Sequence, residues 1–258
     1  MTDFVRFCII ITDFGTYLFT NRTVNQVQKG DRRKAAIIDT AENLFYSKGY
    51  ENTSIQDILD ALKLSKGGFY HHFESKLSLL VAICEKRANI YAENCRAEIK
   101  ANSYTGIDKL NCVLSYSSYL KDASFEFVSI MLDVAYRQQQ VMLREHMSMA
   151  GVELMHELAY DAINEGMAQN VFFSKFSSEL SDIVLNLAHM LTDEVSEIAV
   201  ITDDDYTRTS CINQKIEAYT YACETLLNAP HGSLKLLDEN TISTINNSLS
   251  YCNSAQAS

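Results

Sequence analysis

From about residue 32 onward, the apolar positions of this chain recur at helical spacing. Ile37, Ile38, Ala41, Leu44 and Phe45 fall at i, i+1, i+4, i+7 and i+8, one face of a helix. Gly49 follows Ser47-Lys48 and suits the residue just past a helix end. Thr53-Ser54-Ile55-Gln56 reads as a capping box, with Thr53 at the N-cap and Gln56 three residues on. Ile55, Ile58, Leu59 and Leu62 give the short helix that follows an apolar face. A tight turn at Lys63-Leu64 leads to Ser65, a second N-cap candidate, and to a very short helix from Lys66 to about His72. Ser75 caps a longer helix, about 75–98, with Leu77, Leu80, Cys84, Ala88 and Tyr91 at steps of three and four. A long helix followed by two short ones across a tight turn is a helix-turn-helix unit. Further along, the pattern predicts helices over 105–121, 124–145, 147–168, 176–200, 204–228 and 238–251.

Composition supports an all-α chain. The 258 residues contain one proline and 9 glycines, against averages of roughly 5% and 7%, too few turn residues for a β-sandwich or barrel. The 47% of hydrophobic residues suffices for a core of ordinary size. Seven cysteines at wide spacing, with no C-x-x-C, read as reduced thiols in a cytoplasmic protein rather than a disulfide framework. The six histidines show no metal-ligand spacing, so no metal and no cofactor are expected. The apolar run from Phe4 to Phe19 is interrupted by Arg6 and Asp13 and is too short to span a bilayer, so no membrane partner is expected. Residues 1–28 read as an extension outside the main domain, or equally as the product of an upstream start codon.

The net charge of −11 argues, taken whole, against a polyanionic partner. Its distribution changes that. Residues 1–100 hold 14 Lys and Arg against 12 Asp and Glu, net +2; residues 101–258 hold 8 against 21, net −13. The acidity therefore lies outside the helix-turn-helix region.

Residues 53–77, TSIQDILDALKLSKGGFYHHFESKL, closely resemble the DNA-binding signature of the TetR family of bacterial repressors. The resemblance covers about residues 32–80 and rests on many residues at fixed offsets, among them Thr53, Ile55, Asp57-Ile58, Ala61, Leu64-Ser65-Lys66-Gly67, Phe69-Tyr70, His72-Phe73 and Ser75-Lys76. It implies an N-terminal three-helix helix-turn-helix DNA-binding domain (29–76) and a larger C-terminal helical ligand-binding and dimerisation domain (77–258), with helix 75–98 connecting the two. The candidate DNA contacts are Arg32, Arg33, Thr53, Ser54, Ser65, Lys66, Gly67, Gly68, Tyr70, His71, His72 and Lys76. Physically, Gly67-Gly68 lets backbone approach a groove, at about 1 kcal/mol each in helix propensity against alanine. Lys66 can reach phosphate or a guanine edge, Tyr70 and His72 carry polar tips, and the basic run around Arg32, Arg33 and Lys34 can lie along the backbone as an arm. For Ser65 a helix cap and a phosphate contact stand side by side. For the basic run, an ordinary charged helix start is the competing reading. The family commonly has glycine where this chain has Lys63, which reshapes the turn if the position needs a positive φ.

In the C-terminal region, the resemblance implies a ligand cavity in the stretch rich in aromatics and methionine. Its candidates are Tyr116, Tyr119, Phe127, Met131, Tyr136, Met155, His156, Tyr160 and Phe172, with Arg137 and Asn186 as further polar anchors. Leu180, Ile183, Leu187 and Leu191, and Ile212, Ile216, Tyr219 and Cys223, form apolar stripes on the last two long helices. They suit a two-fold four-helix bundle in a homodimer, or the domain's own core. No paired carboxylate, Cys-His or Ser-His arrangement stands out, so no enzyme is expected. The function expected is a ligand-responsive regulator, most plainly a repressor that binds a palindromic double-stranded DNA operator as a homodimer and is released by a small-molecule effector. The competing reading is a helical interaction or regulatory protein that keeps the fold without operator binding.

Overall fold

The computed structural model of the chain describes residues 24–117, 124–237 and 241–248, and all regular structure among them is helical, with no strand. The N-terminal unit is α1 (Val24–Lys48), α2 (Ile55–Leu62) and α3 (Lys66–Tyr70). Next come α4 (Lys76–Ala101), α5 (Gly106–Ser117) and α6 (Phe125–Met131), which passes into a π-helical turn over Leu132–Arg137. Three long helices complete the fold: α7 (Val141–Ala168), α8 (Ser177–Ile201) and α9 (Asp205–Leu227). Residues 241–248 are also helical, inside the helix expected over 238–251.

The stops and starts follow local chemistry. α1 ends at Gly49, which takes φ +86°, a value that costs glycine nothing. The cap of α2 differs from the sequence expectation by one residue. Ser54 is the N-cap and Asp57 closes the capping box. Thr53 is fully buried instead, its hydroxyl donating to the Leu44 and Gly49 carbonyls at 3.2 and 2.8 Å. An aspartate at the third position outcompetes the glutamine at the second because it receives the Ser54 amide at 2.7 Å. Lys63 does take φ +51°, in the left-handed region, where a glycine would be unstrained.

Two other expectations are corrected. The helix expected over 124–145 is broken at 138–140, where Gln139 has φ +53°, and α7 starts at Val141 rather than near 147. In addition, α1 begins as early as Val24, so the basic run Arg32-Arg33-Lys34 is part of a helix and not a loose arm.

The N-terminal core gathers Ile37, Ala41 and Phe45 from α1, Ile58 and Leu59 from α2, and Phe69 and Phe73 around α3, all with at most 4% exposure. Burying each of these side chains other than Ala41 contributes about 1.5–3 kcal/mol. α4 leaves this cluster and runs into the C-terminal body, packing on α1 at one end and on α5 and α7 further along. In the body α5 lies on α7, α7 on α8, and α8 on α9. The α5–α7 crossing is close: a Cβ on Gly106 would fall on the backbone of Gly166, and one on Gly166 would fall on the Phe172 ring.

Candidate nucleic-acid interface and ligand cavity

The α2–α3 turn aims α3 by three devices: the left-handed Lys63, the Leu64 amide bonded to the Leu59 carbonyl at 2.9 Å, and Ser65, whose hydroxyl accepts from the Gly68 amide at 3.2 Å. α3 then divides cleanly. Phe69 is fully buried against Phe73, ring centroids 5.9 Å apart, whereas Lys66, Gly67, Tyr70 and His71 are exposed. Positions i, i+1, i+4 and i+5 make one outward face. A Cβ on Gly67 would meet nothing within 4 Å, but one on Gly68 would lie 2.9 Å from the Leu64 side chain. Gly68 is thus accounted for by packing inside the unit, and Gly67 alone is open to close approach from outside.

The α1 helix brings more positive charge to the same edge. Lys34 lies 6.0 Å from the Phe73 ring centre. Burial, then the charges of His71, Arg33 and Lys34, holds the His72 imidazole below its usual pKa. Arg32 and Arg33 are exposed on α1.

Besides Ser65, three of the candidate contacts carry structural duties. Thr53 is buried, as described. Ser54 is exposed but its hydroxyl is engaged with Asp57. Lys76 donates to the Tyr50 carbonyl at 2.8 Å and sits 4.2 Å over the Tyr50 ring, so it clamps the loop before α2. Lys48 and Asp57 tie the same loop across its base at 2.6 Å, and the Lys48 bond followed by the Ser54 bonds holds the Asp57 carboxyl well below the usual range.

The second feature is a narrow cavity in the body, with about 30 Å³ of space inside it. Cys84, Arg87 and Tyr91 of α4, Tyr116 of α5, Phe127 of α6, several α7 residues including Met155, and His189 of α8 line it. Of the residues proposed from sequence, Tyr116, Phe127 and Met155 are on this wall. Tyr136 lines an adjoining groove with Arg144 and Met190. Met131 is buried behind the wall, its sulfur 3.7 Å from that of Cys84. Phe172 packs on Gly166 instead. His156 is held by Asp182 at 2.7 Å and stacks on Tyr160 away from the void. Arg137 pairs with Asp133, and the Asn186 amide donates to the Asp182 carbonyl. Tyr119 lies outside the described residues.

Sequence reasoning missed the polar residues that matter most here. The guanidinium of Arg87 donates to Glu42 at 3.2 Å and Tyr46 at 3.0 Å on α1, and to Tyr91 at 2.8 Å on its own helix. It also lies 4.1 Å over the Phe127 ring. Lys86 bonds Asp39 and Glu42, each at 2.8 Å. Burial alone raises the Glu42 pKa, but the bonds from Lys86, Tyr46 and Arg87 outweigh it and the carboxyl titrates below its usual value. The cavity wall is thereby joined directly to the first helix of the N-terminal unit. His189 is different: burial pushes its imidazole down to about 4, leaving it neutral, and its Nε2 has no partner. The helical spacings Glu42/Tyr46 and Arg87/Tyr91 were visible in sequence, but nothing local announces their pairing.

The helix stripes of α8 and α9 also sort themselves. Leu180, Leu191, Ile212 and Cys223 are buried in the chain's own core, Leu187, Ile216 and Tyr219 are half-buried, and Ile183 is exposed. The apolar groups left outside are Ile183, Met190 and Ile201 on α8 and Tyr206, Tyr221 and Leu226 on α9. Among the described residues no group of three or more His, Cys, Asp or Glu could hold a metal ion, and no helix is long and apolar enough to cross a membrane.

A short α3 set by a tight turn against α2, with one charged and polar face, defines a helix-turn-helix protein. Residues 37–83 match the sequence model described as bacterial regulatory proteins, tetR family. The match shows a DNA-binding domain of the tetR family type at residues 37–83. An uncharacterized HTH-type transcriptional regulator of Lactococcus lactis is 39% identical over 61 residues, 24% of this chain and 31% of that protein. The HTH-type transcriptional repressor KstR2 of Rhodococcus jostii is 32% identical over 101 residues, 39% of this chain and 49% of that protein. The matched stretch is thus less than half of either relative. Over the whole fold, a TetR-family regulator from Pectobacterium atrosepticum superposes with a TM-score of 0.55 at 21% identity, covering 81% of this chain and 100% of that one. RolR, solved with resorcinol bound, gives 0.51 at 14% identity, covering 86% and 95%.

Proposed function

We propose that the protein is a ligand-responsive transcriptional repressor of the cytoplasm that binds a palindromic operator as a homodimer. The observation that carries this reading is the outward face of α3: Lys66, Gly67, Tyr70 and His71 project together from a helix whose opposite side is locked into the core. On this reading α3 enters the major groove, Lys66 reaches a phosphate or guanine edge, and Gly67 lets the helix backbone come close. Arg32, Arg33 and His72 border the same face and meet phosphate. One such unit reads few base pairs, so two copies are needed, with half-sites about 34 Å apart. The exposed apolar residues of α8 and α9 support a dimer contact there, with the buried ones stiffening each helix pair from behind.

The cavity supports an effector site. It is mostly apolar with few polar groups, the composition of a binding site rather than of a catalytic one. An effector releases DNA only if it binds the released geometry better than the DNA-bound one. A gel shift with the duplex upstream of the protein's own gene tests the reading. Sequence-specific, salt-sensitive retardation is expected; its absence up to micromolar protein contradicts the proposal.

A further inference from the structure

The cavity and the groove beside it share two lining residues, Met147 of α7 and His189 of α8. These side chains stand between a space of about 30 Å³ and one of about 260 Å³. The smaller space alone suits one or two waters, at roughly 10–15 Å³ each. The His189 ring is lodged against α7 where Gly151 has no side chain: a Cβ there would lie 2.4 Å from its Cε1 and Nε2. That Nε2 has no hydrogen-bond partner, so moving the ring breaks no bond at this atom. Methionine is the most adaptable of the apolar side chains. The partition is therefore the part of the wall that yields at least cost.

The charges around both spaces are engaged or lie outside. Arg87 donates to Glu42, Tyr46 and Tyr91. Arg144 of the groove pairs with Asp193 at 3.6 Å and lies 5.3 Å from the Tyr136 ring centre. Glu85, Glu145 and His146 are exposed. Between them the cavity wall is apolar, with Val81, Ala88, Phe127 and Leu143. A charged guest would leave water without gaining a counter-charge inside. We infer that cavity and groove are one binding site divided by a movable partition, Met147 and His189, and that the site takes a neutral, elongated apolar molecule that displaces the imidazole. The inference rests on the effector-site reading and names the class of its ligand.

The test titrates the full chain with two fluorescent dyes that share one frame, neutral N-phenyl-1-naphthylamine and anionic 8-anilino-1-naphthalenesulfonate. The neutral dye is expected to bind once per chain, at least about tenfold more tightly than the anion. Ala88 lines only the cavity and Ser148 only the groove. Ala88→Phe and Ser148→Trp, which fill the two ends, should each weaken the neutral dye by about tenfold or more. His189→Ala removes the partition and should tighten it by about threefold or more, because no population is lost to the closed form. His189→Phe keeps a ring there and should stay within about twofold of the wild type. If Ala88→Phe fails to fold, the dye pair, Ser148→Trp and His189→Ala still decide. No saturable binding of the neutral dye, equal binding of both dyes, weakening by only one of the two filling variants, or no gain from His189→Ala overturns the inference. Weakening by Ala88→Phe alone leaves an effector cavity without the movable partition. Adding the neutral dye to the gel shift separates the two readings: a dye bound at both ends with DNA retardation unchanged removes the effector reading but not the joined site.

Discussion

The two ends of α4 are built for opposite purposes. At its N-terminal end, a small helical unit packs seven apolar side chains tightly and turns a charged face outward. Further along, the helix forms one wall of a void whose lining residues Arg87 and His189 each have a buried nitrogen without a partner. The first region spends its polar groups on fixing geometry: Thr53, Ser54, Ser65 and Lys76 all bond to nearby backbone. The second leaves Arg87 Nε and His189 Nε2 unmatched. A rigid presenting surface and an adaptable interior need these different treatments, because satisfied networks rigidify and unsatisfied ones invite a partner.

The comparison can be broken most severely at the α5–α7 crossing. Gly106→Ala sets a methyl against backbone that cannot step aside, and a loss of about 3 kcal/mol or more in urea unfolding is expected, with the N-terminal unit unaltered. An acid titration probes the void itself. The folded pKa of His189 lies near 4 against an ordinary 6.5, so the unfolded chain takes up this proton first. Stability should therefore fall as pH drops from about 6.5 toward 4, by roughly 2–3 kcal/mol from this group. His189→Phe should flatten that part of the pH profile; an unchanged slope contradicts the buried neutral imidazole.

On the presenting surface, Lys66→Ala and Tyr70→Ala should each weaken DNA binding by about 1–3 kcal/mol while leaving the melting temperature unchanged, since neither side chain is buried. The smallest effect is expected at the turn. Lys63→Gly relieves a left-handed lysine and should stabilise the chain by about 1 kcal/mol or less in urea unfolding.

The same contrast explains what the sequence revealed. Helix boundaries in the N-terminal unit are set by residues within a few positions of one another, such as Gly49, Ser65 and Ser75, so they could be read locally. The one slip there, Thr53 for Ser54, came from a choice between two adjacent hydroxyls that burial decides. In the body the controlling contacts are distant. The α7 start is set by Gln139 at positive φ, which no composition rule marks. His156, a natural polar anchor by residue type, is drawn away by Asp182 on α8, and Arg87 is drawn in by Glu42, 45 residues earlier. The stripes on α8 and α9 had the right period, but period alone does not say which side faces the chain's own core.

The most direct test of the account separates presentation from support on α3 and its surroundings. Fluorescence anisotropy with the upstream duplex, over a range of salt, should show tight binding by the wild type that weakens steeply with salt. Lys66→Ala should lose affinity with no loss of melting temperature, and Lys76→Ala should lose both together, because Lys76 holds the Tyr50 loop. If Lys66→Ala binds the duplex as the wild type does, or if Lys76→Ala loses affinity at full stability, the division of roles drawn here is wrong.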